Sequence, residues 1–356
     1  MDIHDYARRV ERAKVRLADF KDAEIALTFL NHLKVRGLTD ARVWFYASRI
    51  KAVLQWFQAH DISLKDATKK DVEAFLSEIL TRSYKAWTKH AYYLLVKKFI
   101  SYAKTGQIDI SAEEVAWIKI SQFEKLAEKE SRATPEALLT TEEILKLISA
   151  AGSIRNRAII YVAYEAALRP SELLTMKIAS VIFKEDYCLI SATGKTGIKR
   201  MPLVISYPLI LRWLNEHPMK DDPNVWLWVD KRGNRMSINS YYALLRCASK
   251  RARLNKKVWV YLLRHTRLTE MAKVLTEARL NLFAGWVQGS NRAKTYVHFS
   301  ARDLEDVLLE INGLKQPEKE GGKLKIRTCP RCRDINPPKC GFIIDPALTL
   351  KKTYTL

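Results

Sequence analysis

Ala167-Leu168-Arg169-Pro170-Ser171-Glu172-Leu173 is the stretch on which the reading of the fold turns. Ahead of it, Arg155 to Leu168 is a run of Ala, Ile, Val and Tyr that reads as a largely buried helix. The chain turns at Arg169-Pro170, because proline cannot continue a helix, and side chains there can point into a cleft. Beyond it, Tyr187 to Ala192 and Lys199 to Val204 are β-rich runs flanking Thr193-Gly194-Lys195-Thr196-Gly197. That pattern predicts a hairpin whose glycines supply positive φ. Gly194-Lys195-Thr196 is not a nucleotide-binding loop, since the P-loop needs a glycine five residues earlier, where Leu189 stands.

Working outward toward the C-terminus, helices are expected from Leu209 to Asn215 and from Ser237 to Arg253, followed by the segments Tyr261 to Lys273 and Leu280 to Trp286. Arg246, Lys250, Arg251, Arg253, Lys256 and Lys257 lie in one stretch with no acidic residue, which makes it the best local candidate for phosphate contact. Lys294-Thr295-Tyr296-Val297-His298-Phe299 follows, then a helix from Ala301 to about Leu314. A tyrosine in an apolar stretch is ordinarily a packing residue with its hydroxyl at the rim. Here it follows Arg169, Lys195 in the hairpin turn, Arg264 in Tyr-Leu-Leu-Arg-His, and Trp286 ten residues before it. Two arginines, a lysine and a phenol are a set suited to phosphoryl transfer.

Toward the N-terminus, a charged leading helix over residues 1 to 20 precedes four short amphipathic helices. The first runs from Asp22 to about Leu33 and is stopped by Gly37; Thr39 opens the second, which runs through Phe57. Thr68, answered by Asp71 three residues on, caps the third, and the fourth spans Tyr84 to Tyr102. Together they predict a small helical bundle over residues 21 to 120. Its Trp and Tyr residues fall at core spacing, and Lys85, Lys89, Lys97 and Lys98 lie on faces the core does not need, where they are candidates for DNA contact. Residues 121 to 136 turn polar, end in Thr134-Pro135 and read as a linker; a second domain then covers 137 to 315. The fold class expected is mainly α with a small β-sheet.

The chain has 61 Lys and Arg against 39 Asp and Glu, a formal charge of +22, with 48% hydrophobic residues. An excess that large implies a polyanionic partner, of which nucleic acid is the commonest, with a membrane surface as the rival. The N-terminus passes directly into charged helical sequence, and the apolar run Ala158 to Leu168 is interrupted by Glu165, so neither a signal core nor a membrane span is expected. The expected location is cytoplasmic, and five cysteines suit a reducing compartment. In the tail, residues 316 to 356, the knuckle Cys329-Pro-Arg-Cys332 with Asn336-Pro337-Pro338 reads as the front half of a zinc ribbon whose rear knuckle is missing; with Cys340 there are three cysteines and no histidine follows, so no metal is expected, and no cofactor is expected for the chain.

With Ala-Leu-Arg169-Pro-Ser-Glu-Leu, Leu-Leu-Arg264-His265-Thr266 and Thr295-Tyr296-Val-His in that order, residues 20 to 315 resemble the tyrosine recombinase (phage integrase) family. The tail knuckle is similar to those of integrases from archaeal plasmids and viruses. The resemblance implies an N-terminal helical core-binding bundle of SAM-like type and an α+β catalytic domain. It also implies a homotetramer on paired double-stranded DNA sites that acts as a site-specific recombinase or integrase of a mobile element, with integration, excision and resolution left open. By position, Arg169 and Arg264 match the two family arginines, Glu172 the acid after the first, Lys195 the hairpin lysine and Tyr296 the nucleophile. Trp286 falls where the family uses His or Trp. Tyr261 stands where His is most often found, a departure, since a phenol donates a hydrogen bond but is no proton shuttle near neutral pH.

These residue types suit DNA transesterification without metal or high-energy cofactor. Tyr296 attacks the scissile phosphate and conserves its bond energy in a covalent 3′-phosphotyrosine. Arg169 and Arg264 hold the non-bridging oxygens, and Lys195 protonates the leaving 5′ oxygen. His265 and Glu172 read as organisers behind these groups, and the acceptor of the Tyr296 proton is left open. Two alternatives share the sequence features: a DNA-relaxing enzyme of type IB chemistry, and a recombinase-derived DNA-binding protein without catalysis.

Overall fold

The computed structural model describes residues 2–124, 126, 135–194, 196–290, 292–293 and 296. Lys195, the expected helix from Ala301 to Leu314 and the tail cysteines Cys329, Cys332 and Cys340 lie outside the described residues. The chain divides into two compact units, residues 2 to 132 and residues 133 to 356.

The first unit contains α1 (Tyr6–Leu17), α2 (Ala23–Val35), α3 (Asp40–Ala59), α4 (Lys69–Thr81), α5 (Ala86–Thr105) and the single turn α6 (Glu113–Ala116). Gly37, at φ +78°, ends α2 in a conformation that other residues adopt at a cost. Thr68 and Asp71 form a reciprocal cap at the start of α4, each side chain accepting the other's backbone N–H. Phe29, Tyr46, Phe57, Phe75 and Phe99 are fully buried in one core, with Phe29 against Tyr46 edge-on. The aromatic stripe is thus mostly interior; Trp87 is exposed on α5.

The second unit begins with α7 (Thr141–Ser149), capped by a second reciprocal pair, Thr140 and Glu143. Then come α8 (Ile154–Glu165), α9 (Pro170–Leu174), a sheet of β1 (Val181–Phe183), β2 (Cys188–Gly194) and β3 (Gly197–Leu203), and α10 (Tyr207–Asn215). The chain continues through α11 (Ile238–Arg251), α12 (Leu262–Ala272) and α13 (Glu277–Ala284). The sheet is antiparallel in the order β1-β2-β3, with Gly194 opposite Gly197 at the hairpin tip. The strands run closer to the tip than the sequence pattern implies, and β1, only three residues long and mostly exposed, has no readable alternation.

Two buried side chains on neighbouring elements fix the hairpin to α8. Glu165, in the last turn of α8, accepts from the backbone N–H groups of Val204 at 2.8 Å, Ile205 at 2.9 Å and Ser206 at 2.8 Å, and from the Ser206 hydroxyl at 2.6 Å. A carboxylate so saturated with donors is stable in the interior. Lys199 of β3 is also buried, and its ammonium donates to the carbonyl of Ala166.

Candidate active site

The site is built on the way α8 ends. Ala167 takes the left-handed conformation at φ +47°, its N–H donates to Tyr164 O at 3.0 Å, and Leu168 N–H donates to Ala163 O at 3.2 Å. That is a Schellman termination with alanine at the position glycine usually holds. It leaves the carbonyls of Ala166 and Ala167 unpaired at the negative end of α8, and two cations meet them. Lys199 takes Ala166, and Arg264 Nη1 takes Ala167 at 2.5 Å.

Arg264 stands in the first turn of α12 and is 4% exposed. Its Nη2 donates to Ala284 O at the end of α13 at 2.8 Å. Two of its five N–H groups are therefore spent on fixing the fork between two helix ends, and the remainder stay available for an anion. Burial, and the nearby charge of Arg169, lower its pKa to about 10.

Arg169 lies at the N-cap of α9, where Pro170 begins the helix. Glu172, buried at 2% exposure, accepts from the Arg169 backbone N–H at 2.8 Å and from its guanidinium, and sits 3.8 Å from Arg264 Nη1. One carboxylate thus orients both arginines and offsets one of their charges, leaving a positive surplus. The space around it is tight: a Cβ on Gly194 would come within 2.6 Å of Glu172 Oε1, so glycine is required at the hairpin tip.

Tyr296 is 8% exposed, and its ring stacks on Trp286 at 5.4 Å and on His265 at 5.9 Å. Its hydroxyl is 2.8 Å from His265 Nδ1. Trp286 in turn lies 5.7 Å from the Arg264 guanidinium, an arrangement that stacks a cation, an indole and a phenol. Burial raises the Tyr296 pKa, although Arg264, Arg292 and Arg169 oppose the rise. The phenol is protonated in the resting site and must lose its proton to attack. His265 is shifted the other way: burial and then Arg264 lower its pKa, so its imidazole is neutral near pH 7.

Of the residues expected from sequence, Arg169, Glu172, Arg264, His265, Trp286 and Tyr296 are linked by the bonds and stacked rings described. Tyr261 precedes α12, exposed at 43%, with its ring 6.5 Å from that of His265. Burial of part of the ring and then Tyr242 raise its pKa.

Lys199 was missed in the sequence, where it reads only as the first residue of a strand. Burial, followed by the Arg264 charge, lowers its pKa to about 7, with Glu172 opposing and Arg169 reinforcing. A signal existed. Counting back from buried Leu203 by twos through Met201 puts Lys199 on the inward face, and Ile198, on the outward face, is 67% exposed.

The basic stretch divides into two kinds of residue. Arg246, Lys250 and Lys257 line an open groove of about 800 Å³ beside α11, together with Asn239, Tyr242 and Trp259. Arg251 is exposed and lines a second groove with Arg155, Asn156 and Asp230, and Arg253 is exposed just beyond α11. Lys256 lines the same groove but is held in the fold, donating to Leu138 O at 2.7 Å and pairing with Glu143 at 2.9 Å. In the first unit, Lys89 donates to Leu80 O at 2.8 Å and Lys97 to Ile118 O at 3.2 Å, Lys98 lies 5.5 Å from the Tyr46 ring, and Lys85 is exposed ahead of α5. No helix among the described residues is long and apolar enough to cross a membrane.

Residues 137–302 match the model of the phage integrase family. Tyrosine recombinase XerA of Pyrococcus horikoshii is 25% identical over 262 residues, which cover 73% of this chain and 83% of the relative. Tyrosine recombinase XerD of Bifidobacterium longum is 27% identical over 263 residues, covering 68% and 82%. Among solved structures, the XerH site-specific recombinase bound to palindromic difH substrate in a post-cleavage complex gives a TM-score of 0.60 at 20% identity, over 86% of this chain and 95% of that one. A lambda integrase dimer bound to a COC' core site gives 0.60 at 16% identity, over 85% and 80%. At those identities the likeness is one of fold.

Proposed function

We propose, for a chain that belongs to the tyrosine recombinase (phage integrase) family, how its residues divide the work of site-specific recombination. The enzyme cuts and rejoins duplex DNA, and Tyr296 is the nucleophile. Its phenolic oxygen attacks the scissile phosphorus, the bond to the 5′ oxygen breaks, and a 3′-phosphotyrosine conserves the energy for rejoining by an incoming 5′-hydroxyl. Arg169 and Arg264 receive the non-bridging oxygens, with the positive surplus around Glu172 matching the charge that gathers there in the transition state. Trp286 walls the phosphate on the side of the nucleophile. Lys195, which lies between Gly194 and Thr196 in the sequence, protonates the leaving 5′ oxygen.

The observation that carries this reading is the stacked column of Arg264, Trp286, Tyr296 and His265, which holds a buried phenol beside a fixed guanidinium. The groove beside α11 is assigned to the DNA backbone through Arg246, Lys250, Arg251, Arg253 and Lys257. Residues 2 to 132 are assigned as the core-binding domain and the following unit as the catalytic domain. The relatives' structures include complexes with DNA, one of them a lambda integrase tetramer bound to a Holliday junction. By analogy this chain works as a tetramer on paired sites, in the cytoplasm where that DNA lies.

The test is a supercoiled plasmid carrying two copies of the sequence that the protein protects from nuclease digestion. Recombinant circles are the expected product. Relaxed plasmid with no exchanged circles would contradict a recombinase and favour the relaxing enzyme.

A further inference from the structure

We propose that His265 is the group that takes the proton from Tyr296 as the phenol attacks phosphorus. The inference rests on the transesterification just described and supplies the proton acceptor missing from it. Its basis is geometric: Nδ1 of His265 lies 2.8 Å from the Tyr296 hydroxyl, within range for direct transfer. The two rings stack 5.9 Å apart at 22°, and the Trp286 ring also stacks on the phenol at 5.4 Å, so the phenol is held in place.

Tyr261 and His265 are four residues apart at the start of α12, and the backbone N–H of His265 donates to Tyr261 O at 2.9 Å. Residues so spaced lie one above the other on a helix face. An imidazole absent at 261 is therefore present one turn further along. The phenol of Tyr261 cannot substitute for it, because burial raises its pKa from an already high value.

The proton balance is complete. The hydrogen leaves the Tyr296 oxygen for Nδ1 as the oxygen–phosphorus bond forms, giving an imidazolium, while the leaving 5′ oxygen takes a different proton. Rejoining runs the transfer backward and returns the proton to Tyr296. Nδ1 must be free of hydrogen to accept, and burial together with Arg264 keeps the ring neutral. Among the described residues, the titratable and charged groups around the pair are Tyr261 and Arg264 beside His265, with Arg292 and Arg169 acting on Tyr296. The three arginines are positively charged at neutral pH and stabilise the phenolate that forms, and Arg264 also disfavours early protonation of the ring.

The experiment measures single-turnover cleavage of a nicked suicide duplex built on the protected sequence, by wild type, His265→Gln and His265→Ala. Glutamine keeps a hydrogen-bonding partner for Tyr296 but cannot take its proton. Cleavage by His265→Gln is expected to fall about a hundredfold or more. The fall should persist on a duplex whose scissile 5′ oxygen is replaced by sulfur, because that leaving group needs no proton. Added imidazole should partly restore His265→Ala. The wild-type rate should rise with pH through an ionisation below the ordinary imidazole value of 6.5, and the rise should vanish in His265→Gln. A His265→Gln protein that cleaves at the wild-type rate with the same pH profile overturns the assignment, as does full rescue by the sulfur-bridged duplex. A wild type that forms no adduct overturns the reading beneath it, and this inference with it.

Discussion

The cationic cluster around Glu172 and the basic face of α11 carry charge of the same sign and are built in opposite ways. In the cluster, Arg264 and Lys199 are buried, each donates to a carbonyl at the end of α8, and one carboxylate orients both arginines. Along α11, Arg246, Lys250 and Arg251 are exposed and line open grooves. A buried cation fixed before substrate arrives is suited to a transition state, since no reorganisation is needed when charge develops. An exposed one holds a polyanion through counterion release, an effect that salt weakens and that adds little to the chemical step.

Breaking the cluster should have the largest consequence. Arg264→Lys retains the charge but loses the fork that spans Ala167 O and Ala284 O. Single-turnover cleavage at saturating protein should fall about a hundred- to a thousandfold, with DNA affinity little changed. A variant that bound poorly yet cleaved normally once bound would show that Arg264 belongs with the exposed set.

Next comes a pH effect on stability that only the buried set can produce. Lys199 titrates near 7 in the folded protein against an ordinary 10.5, so between those values the unfolded chain binds this proton more readily. Folded stability should therefore rise with pH from about 7.5 to 9.5, by up to about 1.4 kcal/mol per pH unit from this group alone. Urea unfolding of Lys199→Met across that range should show the slope flattened. An unchanged slope would mean that Lys199 is solvated like the lysines of α11.

The smallest effect is expected on α11. Arg246→Ala and Lys250→Ala should each lower the dependence of log affinity on log salt by about one, with cleavage at saturation preserved. A loss of cleavage by either, with the salt slope intact, would place the groove in the chemistry.

The same division explains how much was legible in the sequence. Motif order brought out Arg169, Arg264, Trp286 and Tyr296, because a turn after a buried helix and a helix start are visible in residue order. Thr68 with Asp71 was legible because a reciprocal cap is local. Lys199 was not, since its burial depends on which face of β3 packs on the end of α8, a tertiary fact carried in sequence only by a short alternation. In the sequence His265 reads as an organiser, because its contact with Tyr296 spans 31 positions and a helix face shared with Tyr261 does not say what lies opposite. Lys256 looked like its neighbours until the fold paired it with Glu143.

The covalent joining of Tyr296 to DNA proposed above has a direct test. Denaturing electrophoresis of wild-type protein with the labelled suicide duplex should show a slower-migrating adduct whose proteolytic fragment carries the label on Tyr296, and Tyr296→Phe should show none. An adduct that forms equally in Tyr296→Phe, or a label mapped to another residue, would contradict the account.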